Sequence, residues 1–178
     1  MLELELERMA EMVNSRFYGK YRGVVTDNSD PDSRGRLQVR IPPVLGDQAG
    51  WALPCAPVAN SDGSGFFAMP DTEASVWVEF EAGNLNFPIW AGCFWPADAI
   101  SSQDAAPAVK FWKTKNFIIR IDEDAGEMTI EKTDGGKLTI SATEVSIEAN
   151  SVKQTAGGQA TVLSQSSFDV NSGALTVM

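Results

Sequence analysis

Histidine is missing from all 178 residues of the chain. Its absence removes the commonest general base, the commonest metal ligand and every Ser-His or Cys-His nucleophile pair. Cysteine is nearly as scarce: Cys55 and Cys93 sit in the apolar settings LPCAP and AGCFW, without metal-ligand spacing. A free thiol packs as a small hydrophobe, so both are expected to be buried. Whether they lie close enough to bridge depends on distance in space, which the sequence does not give. Basic residues are few, 14 against 24 acidic, for a net charge of −10. That balance repels a phosphate backbone, so nucleic acid is not an expected partner, and it opposes charge-driven binding to an anionic membrane. No apolar run approaches the roughly 20 residues of a transmembrane helix. The opening MLELELERMAEMVNS carries four glutamates and does not read as a secretory signal. The expectation is a chain made soluble in the cytoplasm, with any export by another route.

What is present divides into four stretches. Residues 1–15 alternate as LELELE yet also place Leu2, Leu6, Met9 and Val13 at helical spacing. Glu, Leu, Met and Ala are good helix formers, so a short amphipathic helix is expected, docked on its own domain or on a neighbouring subunit. Residues 16–96 read as short strands between Gly, Pro, Asn and Asp. YRGVVT is the first, and GRLQVRI alternates with Leu37, Val39 and Ile41 on one face. GWALPCAPVA is broken by Pro54 and Pro57 and reads as an edge strand or irregular connection. SGFFAMP, ASVWVEFEAG and FPIWAGCFW follow as further strands. Short strands in this number without a long helix indicate an all-β small barrel or sandwich. Residues 97–109 form a small and polar linker, and 110–178 a tail rich in Thr, Ser, Ile, Val and Gly.

The tail repeats an apolar-polar-apolar unit: MTI at 128–130, LTI at 138–140, VSI at 145–147, FDV at 168–170 and LTV at 175–177. It lies within the strand candidates FIIRID, MTIEK, KLTIS, EVSIEA, FDVN and ALTVM. Each unit offers two apolar side chains on one face, worth roughly 1.5–3 kcal/mol apiece when fully buried. Ordering each residue costs ~1–2 kcal/mol in backbone entropy. One copy of the tail is therefore not expected to fold alone. A multi-stranded spike, burying the apolar face along an axis between chains, is the natural solution. Leu138, Ile140, Val145, Ile147, Val170 and Val177 are the expected inward layers. A floppy Ser/Thr-rich tail is the alternative, and the sustained alternation speaks against it.

No motif carries chemistry. In TDNSDPDSRGRLQVRIPPVLGD, Asp27, Asp30 and Asp32 suggest a calcium loop, but counting from Asp27 the fifth position is Pro31, the sixth Asp32 and the twelfth Gln38. A calcium-binding EF-hand requires oxygen ligands at alternate positions, Gly at the sixth and Glu at the twelfth. Asp-Pro and Gly35 are turn chemistry, so a hairpin loop is expected. Glu79 and Glu81, the best pair for acid–base work, alternate along a strand and read as its solvated face. DGGK lacks the rest of a phosphate-binding loop, and SDGSG is not a nucleophile elbow. Trp51, Trp77, Trp90, Trp95 and Trp112 have apolar neighbours, and core packing is expected for most of them. Neither catalysis nor a cofactor is expected.

From Phe17 to Trp95 the chain resembles the baseplate assembly protein V family of contractile phage tails and the OB-fold domain of VgrG-type spikes. The resemblance rests on FYGKYRGVVTDNSDPDSRGRLQVRIPPVLGD, WALPCAPVA, GFFAMP and VWVEFEAGNLNFPIWAGCFW in that order. It implies a five-stranded OB barrel followed by an intertwined trimeric β-helix, on the axis of a contractile tail beneath the hub and inner tube. The homotrimer would be a structural central spike used to puncture a target envelope, touching the membrane only mechanically. It would be made in a host or producer cytoplasm and assembled into a phage tail or injection-system baseplate. Two departures qualify the resemblance. The lysozyme domain that some members carry has only residues 97–109 in its place, and the tip histidines of others are missing. A separate PAAR-like tip protein is therefore an expected partner, alongside the hub. The alternative reading is an OB-fold module that recognises a glycan or an effector, with a flexible tail. A carboxylate hydrolase is the third reading, and no residue pattern supports it.

Overall fold

The computed structural model describes residues 2–177, apart from the side chains of Leu2, Ala10, Glu11, Met12, Asn14 and Thr176. They form two compact units that divide between Ala99 and Ile100. Residues 100–108, the greater part of the expected linker, thus belong with the tail.

The first unit opens with helix α1, Leu2–Asn14. Strands β1 (Tyr21–Asp27), β2 (Leu37–Arg40), β3 (Ala49–Pro54), β4 (Ser75–Phe80) and β5 (Pro88–Cys93) then close a barrel in the order β1-β2-β3-β5-β4. Neighbours are antiparallel except β3 and β5, which meet in parallel at Leu53↔Ile89 and Pro54↔Trp90. Strict alternation decides what lies inside. Val25, Leu37, Val39, Ile41, Ala52, Val76, Val78 and Phe80 are buried in one core, while Arg22, Gln38, Arg40 and Trp77 point outward on the same strands. Gly23 belongs to the inward set because a Cβ there would fall 2.5 Å from Val39 Cγ1.

Two strand expectations are corrected. GWALPCAPVA contains β3, a fully integrated barrel strand with partners on both sides. Pro54 is tolerated because it is the last residue of the strand, and Pro57 lies beyond it. SGFFAMP is not a strand. It bonds back onto its own loop through an isolated Ala59–Gly65 bridge and a Phe66 N–H to Val58 C=O bond of 3.0 Å. One turn of helix, α2 (Pro42–Leu45), starts on paired prolines, which suit a first helical turn because it needs no N–H donors there.

The second unit consists of two antiparallel meanders. The first runs β6 (Val109–Lys113), β7 (Phe117–Asp122), β8 (Glu127–Lys132), β9 (Lys137–Ile140) and β10 (Val145–Glu148). The second runs β11 (Ser151–Ala156), β12 (Gln159–Ser164), β13 (Phe168–Val170) and β14 (Leu175–Val177). Of these, β6, β11 and β12 were absent from the strands expected above. The repeat now has a structural meaning. LTI and VSI are successive strands joined by residues 141–144, closed by a Ser141 N–H to Glu144 C=O bond of 2.9 Å. Three strand residues plus four turn residues give the spacing of 7. FDV and LTV repeat it across 171–174, where Asn171, Ser172 and Gly173 have positive φ. The molecule is therefore mostly β, with a five-stranded barrel and little helix.

Candidate assembly surface

Directly paired residues of antiparallel strands face the same side of the sheet. In the first meander one such row is Ile121, Met128, Ile140 and Val145, and the next is Trp112, Ile119, Ile130, Leu138 and Ile147. Both rows lie on one face, because they are two positions apart along each strand, with a single residue between them. The opposite face carries Arg120, Thr129, Thr139 and Ser146, followed by Glu131, Lys137 and Glu148, whose signs alternate from strand to strand. The second meander sorts likewise. Val152, Leu163, Phe168 and Val177 share a row, with Val170 and Leu175 on the same face, while Lys153 and Asp169 point the other way.

These apolar faces are only partly covered: Ile119, Met128, Leu138, Val152 and Val170 are half-buried, and the rest lie open. Among the described residues of the second unit the only buried side chains are Thr129 and Thr139, on the polar side. Ile130, Ile140, Ile147, Leu163 and Leu175 are all exposed. The six expected inward residues fall as follows. Leu138, Ile140, Val145 and Ile147 lie on the apolar face of the first meander, and Val170 and Val177 on that of the second. Sequence reasoning missed Ile119, Ile121, Leu163 and Phe168 as members of these faces. Phe168 and Ile121 were already in strand candidates, and correct register would have joined them to the rest.

On the polar side of the first meander, Arg120 forms an ion pair with Asp104. The Arg120 hydrogen bond holds the Asp104 carboxyl below its ordinary value, helped by a hydrogen bond from the Ser101 hydroxyl. Residues 101–104 are thereby tied to β7.

The barrel presents different chemistry. In the β1–β2 loop, the Asp30 carboxylate accepts the backbone N–H groups of Asp32, Arg34 and Arg36 at 2.8–3.1 Å. This is the expected hairpin loop, organised around one aspartate. Glu79 pairs with Lys20, and Glu81 leaves the strand in a single 3-10 turn. The tryptophan expectation is corrected: none of the five is buried. Trp77 stacks outside the barrel under Arg22, whose guanidinium is 5.3 Å from its ring and 4.9 Å from Phe94. Trp51 lies under Arg36 at 5.2 Å. The alternation that buries Val76 and Val78 requires Trp77 to face out. The cysteine expectation is also corrected. Cys55 and Cys93 are both exposed and unbridged, because each sits at or just past a strand end rather than under the core. Cys55 contributes to an open groove of about 600 Å³, lined mainly by Pro54, Val58, Phe66, Phe67, Met69 and Trp90.

A closed five-stranded barrel with this strand order, filled by aliphatic side chains, defines an OB-type domain. Residues 21–95 match the family described as the Type VI secretion system/phage-baseplate injector OB domain. No match was found among curated proteins. Among the described residues, no helix is long and apolar enough to cross a membrane.

Proposed function

We propose that this protein is a structural spike component of a contractile tail or injection baseplate, and that its second unit associates with two identical copies. The observation carrying this reading is that each of the two meanders has an apolar face, much of it left exposed by the rest of the unit. A sheet with one apolar face must pack it against another layer. Identical copies related by closed symmetry supply that layer without any further component. The number three comes from the resemblance of the barrel to trimeric spikes. A threefold arrangement turns each apolar face toward a common axis and leaves the Lys/Glu rows outside. Edge strands β6, β10, β11 and β14 then find partners in neighbouring chains, which removes the open edges that would otherwise peel or aggregate.

Function on this reading is mechanical. Stiffness comes from backbone pairing between chains and from a dry apolar axis, and the chain performs no catalytic step. A hub protein above and a PAAR-like tip protein below complete the device, which assembles into a phage tail or injection system and meets the target membrane only by force. The groove beside Phe66 and Phe67 favours a second reading, an OB module that holds a glycan or effector. Light scattering of the purified full chain separates the two. A mass of three chains is expected, and a mass of one chain would favour the binding module.

A further inference from the structure

Helix α1 has an unusual relation to its own barrel. Its C-terminal end is fastened there: Phe17 N–H donates to Gly83 C=O at 2.9 Å, and Arg16 Nη1 to Ala82 C=O at 3.2 Å. Phe17 also packs against Tyr21 and Phe80, with ring centroids 6.3 and 6.2 Å away. Among the described side chains of the helix, the apolar ones stay exposed despite this anchorage. Leu6, Met9 and Val13 are 56%, 52% and 66% exposed. A helix of 13 residues is marginal in water without a packed face, since isolated helices below ~12–15 residues rarely persist. Some other surface must cover the stripe.

The shape of the stripe indicates which. Leu6, Met9 and Val13 are spaced by three and then four residues, the a-d-a spacing of a heptad. Leu4, the other exposed leucine, lies roughly 160° round from Leu6 at ~100° per residue, so it does not widen the band. Among the described side chains, Glu3 and Glu5 flank the band, and Glu7 and Arg8 lie further round the helix. A helix that docks on a globular surface needs a broad apolar face, whereas a narrow a/d band fits only another helix bearing the same band. We propose that the α1 helices of the associated copies pair side by side as a short parallel coiled coil. This rests on the trimeric reading, which supplies the parallel orientation and the high local concentration that two heptads require. The coil would add a second point of association, within the first unit. Because Glu3 and Glu5 of all copies then converge near the helix N-termini, the coil should tighten as salt screens them.

Cross-linking tests it in the full chain. In a Cys55→Ser, Cys93→Ser background, both positions being exposed, Met9→Cys and Glu7→Cys are treated separately with a short bis-maleimide. Met9→Cys should give covalent pairs of chains in high yield, and Glu7→Cys, on the outer face, at least tenfold less. Equal yields from the two, or none from either, in a particle that scatters as three chains would overturn the coil and leave the trimer standing. A particle that scatters as one chain would instead remove the trimeric reading and the coil with it. As a second readout, Leu6→Glu should lose helical ellipticity near 222 nm while keeping the mass of three chains. Unchanged ellipticity would contradict the coil.

Discussion

Asp30 and Arg36 meet inside the β1–β2 loop, with Arg36 Nη2 2.7 Å and Nε 2.9 Å from a single carboxylate oxygen of Asp30. The same guanidinium reaches Asp32 at 2.6 Å and lies over the Trp51 ring. One aspartate thus closes the loop through three backbone donors and one cation, and the cation ties the loop to β3. The Arg36 hydrogen bond, followed by the backbone donors, holds the Asp30 carboxyl far below the ordinary carboxylate range against the opposing effect of burial.

The sign of the resulting pH dependence is fixed. A carboxyl whose folded value lies below its unfolded one contributes stability that is fully present above the unfolded value, near 3.8. That contribution is lost as pH falls below it toward the folded value, because the unfolded chain then binds the proton more readily. Barrel stability should therefore be insensitive to Asp30 between pH 5 and 8 and should decline below about pH 4. Asp30→Asn should lower the melting temperature at pH 7 and flatten the acid limb, as followed by tryptophan fluorescence. An unchanged melting temperature at pH 7 would show that the loop does not depend on the pair.

The close approach of Gly23 to Val39 predicts a compensating pair. Gly23→Ala forces a methyl to within 2.5 Å of Val39 Cγ1 and 3.1 Å of Val78 Cγ2. Overpacking of this kind should cost about 1–3 kcal/mol. Val39→Ala alone removes two buried methyl groups and should cost about 1–3 kcal/mol by the lost transfer energy and the cavity left behind. The double variant should be more stable than the sum of the two losses implies, by at least 0.5 kcal/mol on the scale typical of touching residues. Chemical denaturation of the three variants measures the coupling.

Opposite faces of one sheet give the sharpest contrast in the second unit. Ile140 and Ser146 lie on adjoining strands but face opposite sides of the meander. Ile140→Asp should break the association, since one carboxylate per chain would meet near the axis without a partner. Ser146→Asp should leave the mass unchanged. Size-exclusion chromatography with light scattering reads both, and an intact trimer in Ile140→Asp would count against the inward assignment.

Thiol titration checks the barrel rim. Both cysteines should react with an aromatic disulfide reagent in the native protein, two per chain, without denaturant. The neighbouring atoms that cover part of the exposed Cys93 side chain desolvate its thiol and push it upward, so Cys93 should be the slower at pH 7. A single reacting thiol, or none, would contradict the exposed positions described here.

Much of this architecture was legible because side-chain alternation survives in the sequence. Leu37, Val39 and Ile41 announce an inward face, and the MTI, LTI and VSI units announce strands whose turns are short enough to keep register. Legibility fails where another force overrides the pattern. Pro54 looks disruptive, yet at the last position of β3 its missing donor costs nothing. SGFFAMP has the composition of a strand, but its backbone partners lie in its own loop. In β11 and β12, Gln154 and Thr161 take places where the repeat would put aliphatic residues, so the periodicity fades although the pairing continues. Apolar neighbours in sequence also misled for Trp77, because residues adjacent in a strand lie on opposite faces. The candidate surface was half legible: six residues were marked, but only register gathers them with Ile119, Ile121, Leu163 and Phe168.

Residues 100–178 are expected to hold their structure only in association with other copies. Limited proteolysis across a dilution series, with the mass of each sample fixed by light scattering, tests it most directly. A protected C-terminal fragment is expected in samples that scatter as three chains, and its rapid loss wherever single chains prevail, with the barrel surviving in both. A protected C-terminal fragment in samples that scatter as one chain would contradict it.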